Sequence, residues 1–180
     1  FQGAFCATAA TIVSGAMAER TQLKGFVVYT VLMTSVIYPI VVYWGWSGNG
    51  WLSDMDPAYM DFAGSGIVHM VGGVGALCGA AVVGPRKDRF QADASGLDFS
   101  PHSVPFLVLG TFCLWFGWYG FNPGSTGSMH DAATAMTAGR VAVNTTLAPC
   151  VAGLLVFLLR AQAVRPKALD VGGFCNGILA

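Results

Sequence analysis

The sequence predicts an all-α, polytopic membrane protein, and three observations carry that prediction. Hydrophobic residues make up 54% of the 180-residue chain and charged residues only 10%, with a mean hydropathy of +0.61. A water-facing domain usually carries about a quarter charged residues, so this chain has too few to cover a soluble surface. Apolar runs recur at lengths near or above the ~20 residues that a helix needs to cross the hydrocarbon. The segments between them alternate in charge, as they do in a chain that crosses repeatedly.

Six apolar runs can be marked: 1–18, 25–46, 61–84, 103–121, 132–159, and one that starts near 168. They read as helices because a crossing backbone must satisfy its own hydrogen bonds. The chain opens at Phe1 inside one run and stops at Ala180 inside another. The expectation is an interior fragment of a longer protein, its first and sixth spans cut. No initiator Met and no charged segment ahead of an apolar core suggest a signal peptide. Gly75 and Gly79, with Gly72 and Ala76 beside them, make a small-residue stripe in the third run. Such a stripe lets helices approach closely.

The loops set an orientation. Loop 19–24 holds Arg20 and Lys24, loop 85–102 holds Arg86, Lys87 and Arg89, and loop 160–167 holds Arg160, Arg165 and Lys167. Loop 47–60 holds Asp54 and Asp56 without Lys or Arg, and loop 122–131 has no basic residue. Eight of the nine basic residues therefore share one side, Arg140 in the fifth run being the exception. The positive-inside rule places loops 19–24, 85–102 and 160–167 in the cytoplasm. The first span then runs from outside to inside, and Asp61 stands at the outer end of the third.

A net charge of zero gives no reason to expect a nucleic-acid partner. Cys6, Cys78, Cys113, Cys150 and Cys175 fall at scattered spacing inside apolar runs, which is neither a disulfide framework nor a metal pattern. They read as small buried hydrophobes. His130 beside Asp131 in an outer loop lacks further ligands for a metal site. Asn144-Thr145-Thr146 matches the glycosylation pattern but lies within a span, out of reach of a transferase.

Ionisable residues within spans are rare and expensive, so each is a candidate for function. Asp61 opens the stretch DFAGSGIVHMVGG (61–73). An acid there reads first as an N-cap, accepting from the first free N–H groups and complementing the positive helix end. The same charge would also draw cations from outside. His69 follows eight residues later; counted as α-helix, that carries it ~12 Å inward and turns it about 80° around the axis. The two then cannot pair, and His69 sits near the bilayer middle. It reads either as a structural histidine bonded to a neighbouring helix or as an imidazole lining a pathway. No second histidine lies in another complete span, since His102 and His130 are in or beside loops. A membrane enzyme using His69 as a base would need a second catalytic group at that depth, and the spans supply none. No catalytic residue is expected.

Aromatic residues gather at the outer ends: Trp44, Trp46 and Trp51 by the second span, and Trp115, Trp118, Tyr119 and Phe121 by the fourth. Phe1 and Phe5 share one helix face, four residues apart. An interfacial belt accounts for most such aromatics. One at a pore mouth could instead hold a cation against its ring face. Ser125, in NPGS, offers an acceptor oxygen.

The stretch DFAGSGIVHMVGGVGAL (61–77) closely resembles the signature of ammonium transporters. FQGAF (1–5), SGAMAERTQ (14–22), WGWSGNGW (44–51), LWFGWYGFNPGS (114–125) and RVAVNTTLAPC…DVGGFCNG (140–177) align with the same family in the same order. The resemblance covers essentially the whole chain, and its wording is nearer to plant and algal members than to bacterial ones. It implies eleven membrane helices built as two inverted five-helix repeats plus one, of which this chain would hold about helices three to eight. It also implies a homotrimer with one pore per subunit, in the plasma membrane, with no cofactor.

Residue by residue, the resemblance implies that Trp46, Phe5 and Ser125 form an outer recruitment site. There the indole holds ammonium by cation–π contact and the hydroxyl accepts a hydrogen bond. Trp46 is taken over Trp44 by its spacing to Asp61, which matches the acid near that site. Phe5 and Phe121 match two stacked rings that close the pore below. His69 matches the first of twin pore histidines, the second belonging to a helix beyond Ala180. Ammonium would be deprotonated near the gate and ammonia would pass along His69; in plant-type members the proton follows. A Rhesus-type ammonia or carbon dioxide channel shares the acid and the histidine, but Trp46 argues against it. An ammonium sensor that signals through a partner is the other reading.

Overall fold

The computed structural model describes residues 1–90, 99, 101–163 and 169–180. Arg165, Lys167 and the middle of loop 85–102 lie outside the described residues. All secondary structure among the described residues is helical, and the chain forms two compact units, Phe1–Asp98 and Phe99–Ala180.

The first unit holds α1 (Gln2–Met17), α2 (Leu23–Trp46) and α3 (Ser65–Val83). α1 supplies its centre. Phe5, Ala9, Val13 and Met17 follow one another at four-residue spacing, and all are buried, as is Ala10. That spacing draws one stripe along a helix. The small residues of α3 lie against it. A β-carbon at Gly72 would fall 2.8 Å from Ile12 Cβ and 3.0 Å from the Ala9 carbonyl oxygen, and one at Gly75 would fall 3.0 Å from Val13 Cγ2. One at Gly79 would overlap the Met17 sulfur. The pairs advance along both helices in the same direction, so α1 and α3 run parallel with their backbones close. At their far ends Arg86 pairs with Glu19, and the Arg20 guanidinium donates to the carbonyls of Ala16 and Gly84.

α2 changes register midway, in a π-helical segment Met33–Ile37. Pro39, two residues past its end, brings no N–H to the carbonyl of Ser35. A local widening of the helix is a common answer to such a break. Met33 and Tyr38 are buried there, and Cys6 Sγ of α1 lies 3.8 Å from the Thr34 carbonyl oxygen. An open apolar groove of about 580 Å³ runs between α2 and α3, lined among others by Met33, Ile37, Val41, Met70 and Val74.

The second unit holds α4 (Val104–Phe121), a 3₁₀ turn (Pro123–Thr126), α5 (Ala132–Ala163) and α6 (Val171–Leu179). Each helix start has its cap. The Ser103 hydroxyl accepts from the Phe106 amide at 3.4 Å, with Pro105 in the first turn, where its missing N–H costs nothing. The Asp131 carboxylate accepts from the Ala133 and Thr134 amides, both at 2.9 Å. These bonds, that of the Thr134 amide foremost, hold the Asp131 carboxyl below its ordinary range. Asp170 accepts from the Gly173 amide at 2.7 Å and pairs with Arg160 of α5. α6 then packs back along α5, with Phe157 and Phe174 edge to face at 5.8 Å.

Outward faces are as apolar as inward ones: Leu77 is 71% exposed, Val82 87% and Phe116 81%. Among the described residues four helices are long and apolar enough to cross a membrane: Leu23–Trp46, Ser65–Val83, Val104–Thr126 and Ala132–Gln162. Lipid is the solvent such surfaces fit.

The α1–α3 contact gives a direct test. Gly72→Val forces a β-carbon and its two methyl groups into a closed gap and is expected to cost about 1–3 kcal/mol. It should lower the thermal midpoint of the detergent-solubilised protein. Gly73→Ala, where a β-carbon meets nothing within 4 Å, should not lower that midpoint.

Candidate functional site

The candidate residues of the first unit gather around Asp61. Its carboxylate accepts four backbone N–H groups: those of Gly64 at 2.7 Å and Ser65 at 2.9 Å on Oδ1, and those of Gly66 at 3.0 Å and Ile67 at 2.8 Å on Oδ2. These are the donors that the start of α3 would otherwise leave open in an apolar setting. The expected cap is present, but the geometry differs from a helix that begins at Asp61. To reach all four donors, residues 61–64 loop outward, and the turn closes at Gly64 with φ 99°. Glycine is the residue for that backbone region. A β-carbon there would also sit 2.5 Å from Val68 Cγ2.

His69 is correspondingly placed. It lies in the π-helical first turn Ser65–Met70, where its amide and that of Val68 both donate to the Gly64 carbonyl at 2.9 Å. The 12 Å and 80° expected from eight residues of α-helix therefore do not apply, because four of those residues are loop and the rest follow a wider turn. His69 is half-buried, directly after the fully buried Ile67 and Val68.

Trp46 reaches Asp61 through the backbone. Its indole N–H donates to the Asp61 carbonyl at 2.7 Å. With that donor occupied, the ring's faces are what the indole can still offer, and Phe5 meets it edge to face at 5.9 Å and 72°. Phe5 is buried and carries Phe1 against it at 4.8 Å. Trp44, the other candidate indole, instead packs on Trp51 at 6.0 Å. Tyr59 was missed by sequence reasoning; its hydroxyl stands 3.5 Å from Asp61 Oδ2. Burial, then the Asp61 charge and hydrogen bond, raise the Tyr59 hydroxyl above its ordinary pKa, so it stays a donor. Tyr59 sits two residues from the acid, which is the signal that spacing offered.

In the second unit, Ser125 and Phe121 come together. The Ser125 hydroxyl donates to the Phe121 carbonyl at 2.8 Å, and the Ser125 amide donates to Asn122 O at 3.1 Å. A hydroxyl that has given its hydrogen inward keeps its lone pairs as acceptors. His130 contacts Ser128 and lies 3.7 Å from Asp131 Oδ2, fully at the surface. Among the described residues no group of three or more His, Cys, Asp or Glu side chains could hold a metal ion.

Removing the acid tests the arrangement. Asp61→Ala strands the amides at the start of α3 and should cost about 1–3 kcal/mol. Asp61→Asn, which keeps one acceptor oxygen, should lose less. Thermal midpoints in detergent read both, and equal stability of the two variants would contradict the four-bond cap.

The comparisons with known proteins agree with these motifs. The Ammonium Transporter Family model matches residues 1–180. "Ammonium transporter 1 member 2" of Arabidopsis thaliana is 43% identical over 99% of this chain and 38% of its own length. The protein of the same description from Oryza sativa subsp. japonica is 44% identical over 99% of the chain and 39% of its own length. "Ammonium transporter 1 member 3" of Solanum lycopersicum is 42% identical, over 99% and 41%. The chain thus spans about two fifths of the length of these curated relatives. No solved structure matches it significantly. With four membrane-competent helices among its described residues and a family match over its whole length, this multi-pass integral membrane chain belongs to the ammonium transporter family.

Proposed function

We propose that the protein carrying this chain moves ammonium or ammonia across the plasma membrane, recruiting the cation from outside at Trp46, Phe5 and Ser125. One observation carries the reading: Trp46 spends its N–H on the Asp61 carbonyl and keeps its ring face beside Phe5. An indole held in that way has only its π-cloud left to give, and a cation is the ligand that a π-cloud attracts. Asp61, which takes the indole N–H on its carbonyl, adds negative charge nearby. Ser125 adds an acceptor whose own hydrogen is already committed.

Phe5 and Phe121 serve as the gate, and His69 lines the way beyond it. Potassium stripped of water finds no replacement in an aromatic gate and is rejected. Ammonium donates hydrogen bonds and can leave a proton behind, so ammonia passes the apolar lumen and meets the His69 imidazole. The protein works as a homotrimer with loops 19–24, 85–102 and 160–167 in the cytoplasm.

Uptake of labelled methylammonium by cells without their own ammonium transport tests this in the full-length protein. Trp46→Leu removes a desolvated cation–π contact and should raise KM roughly tenfold. His69→Ala should lower the maximal rate by about tenfold or more, through loss of a buried polar contact. Uptake unchanged by both substitutions would overturn the assignment.

A further inference from the structure

Pro149 stands inside α5. A proline has no N–H, so it cannot supply the bond that the carbonyl four residues earlier expects, and its ring crowds that carbonyl. The residue four earlier is Thr145. Its carbonyl accepts instead from the indole N–H of Trp115 on α4, at 3.0 Å. In a span such a carbonyl has no water to turn to, so the substitute donor matters more than it would at a wet surface.

Thr145 is used twice. Its hydroxyl oxygen accepts from the Asn122 side-chain amide at 3.1 Å, and Thr145 is only 6% exposed. Asn122 is the residue on which α4 ends, and its carbonyl in turn takes the Ser125 amide at 3.1 Å. A continuous chain of bonds therefore runs from the proline-broken turn of α5 to the end of α4 and the 3₁₀ turn that carries Ser125.

We infer that Trp115 and Thr145 are positioning residues for the outer end of α4: the Trp115 indole replaces the N–H that Pro149 lacks, and Thr145, held in place by it, fixes Asn122 and with it Ser125. The inference rests on the recruiting role proposed for Ser125. Without the indole the Thr145 carbonyl is stranded, the broken turn relaxes, and the hydroxyl drifts from Asn122. Loss of placement at a recruiting site reads in KM before it reads in maximal rate.

The experiment turns on Pro149. In the full-length protein, Trp115→Phe should raise KM for methylammonium about fivefold, the equivalent of one ordinary hydrogen bond, with the maximal rate per molecule at the membrane nearly unchanged. Adding Pro149→Ala restores a backbone N–H for the Thr145 carbonyl and should return KM to within about twofold of the parent. Thr145→Val, which removes the Asn122 acceptor and leaves the carbonyl, should raise KM similarly, and Pro149→Ala should not rescue it. Failure of Pro149→Ala to rescue Trp115→Phe overturns the inference, as does a fall in membrane protein with KM unmoved. If Trp115→Phe does not accumulate, Thr145→Val decides alone: a raised KM supports the link and an unchanged KM overturns it. Absence of methylammonium uptake by the parent protein would instead overturn the transport reading, and this inference with it.

Discussion

Four amide hydrogens on one carboxylate set the geometry of the first unit. Where α3 begins, its leading N–H groups have no partner within the helix, and Asp61 answers all of them. Doing so holds residues 61–64 in a loop closed by Gly64, and the loop presents the Asp61 carbonyl to Trp46. The orientation of the indole, its meeting with Phe5 and the placing of His69 in the first turn all follow from this cap. The acid is therefore the frame on which the first unit's candidate residues are arranged. Its charge still acts, since a carboxylate at a positive helix end is partly but not wholly compensated.

The two units solve the same problem by the same means. A backbone group left open in an apolar setting is taken up by a side chain, and that side chain is then fixed. Trp46 donates to the Asp61 carbonyl and Trp115 to the Thr145 carbonyl. An indole buried in a membrane protein needs a partner for its N–H. A carbonyl outside regular helix geometry needs a donor, so the pairing serves both. What differs is the remainder of the ring. Trp46 faces Phe5, whereas Trp115 ties two helices together.

The layout of the fold was legible in the sequence because lipid imposes a length and a polarity that composition reports directly. Alternating basic and acidic loops, the small residues of the third span and the place of Asp61 before a helix all follow from simple rules, and the motifs around Trp46, Phe5 and Ser125 marked the candidate site. What sequence could not provide was the start of α3. An α-helical count from Asp61 assumes that the cap is itself helical, and a carboxylate taking four donors makes a loop instead. The π-helical turns at Ser65–Met70 and Met33–Ile37 were invisible for a related reason, since hydrophobic residues surround them on all sides and no periodicity betrays a change of pitch. The Trp115–Thr145 bond had a signal that went unread. Pro149 in an apolar run points to the carbonyl four residues earlier, whereas the NTT stretch reads only as a glycosylation pattern and as part of a family motif.

Thr34 and Trp46 both address α1, the first through Cys6 and the second through Phe5. Twelve residues of uninterrupted α-helix would set them about 120° apart around the axis, too far for one neighbour to meet both. The single wider turn Met33–Ile37 accommodates about one extra residue, which offsets most of that rotation. The segment thus acts as a phase correction, and α2 is tuned to its length: loss of a single residue there would swing the outer half of the helix by about 100°, carrying Trp46 away from Phe5 while every hydrophobic residue remained hydrophobic. Chains of this kind tolerate exchange of one apolar residue for another far better than a change in their number.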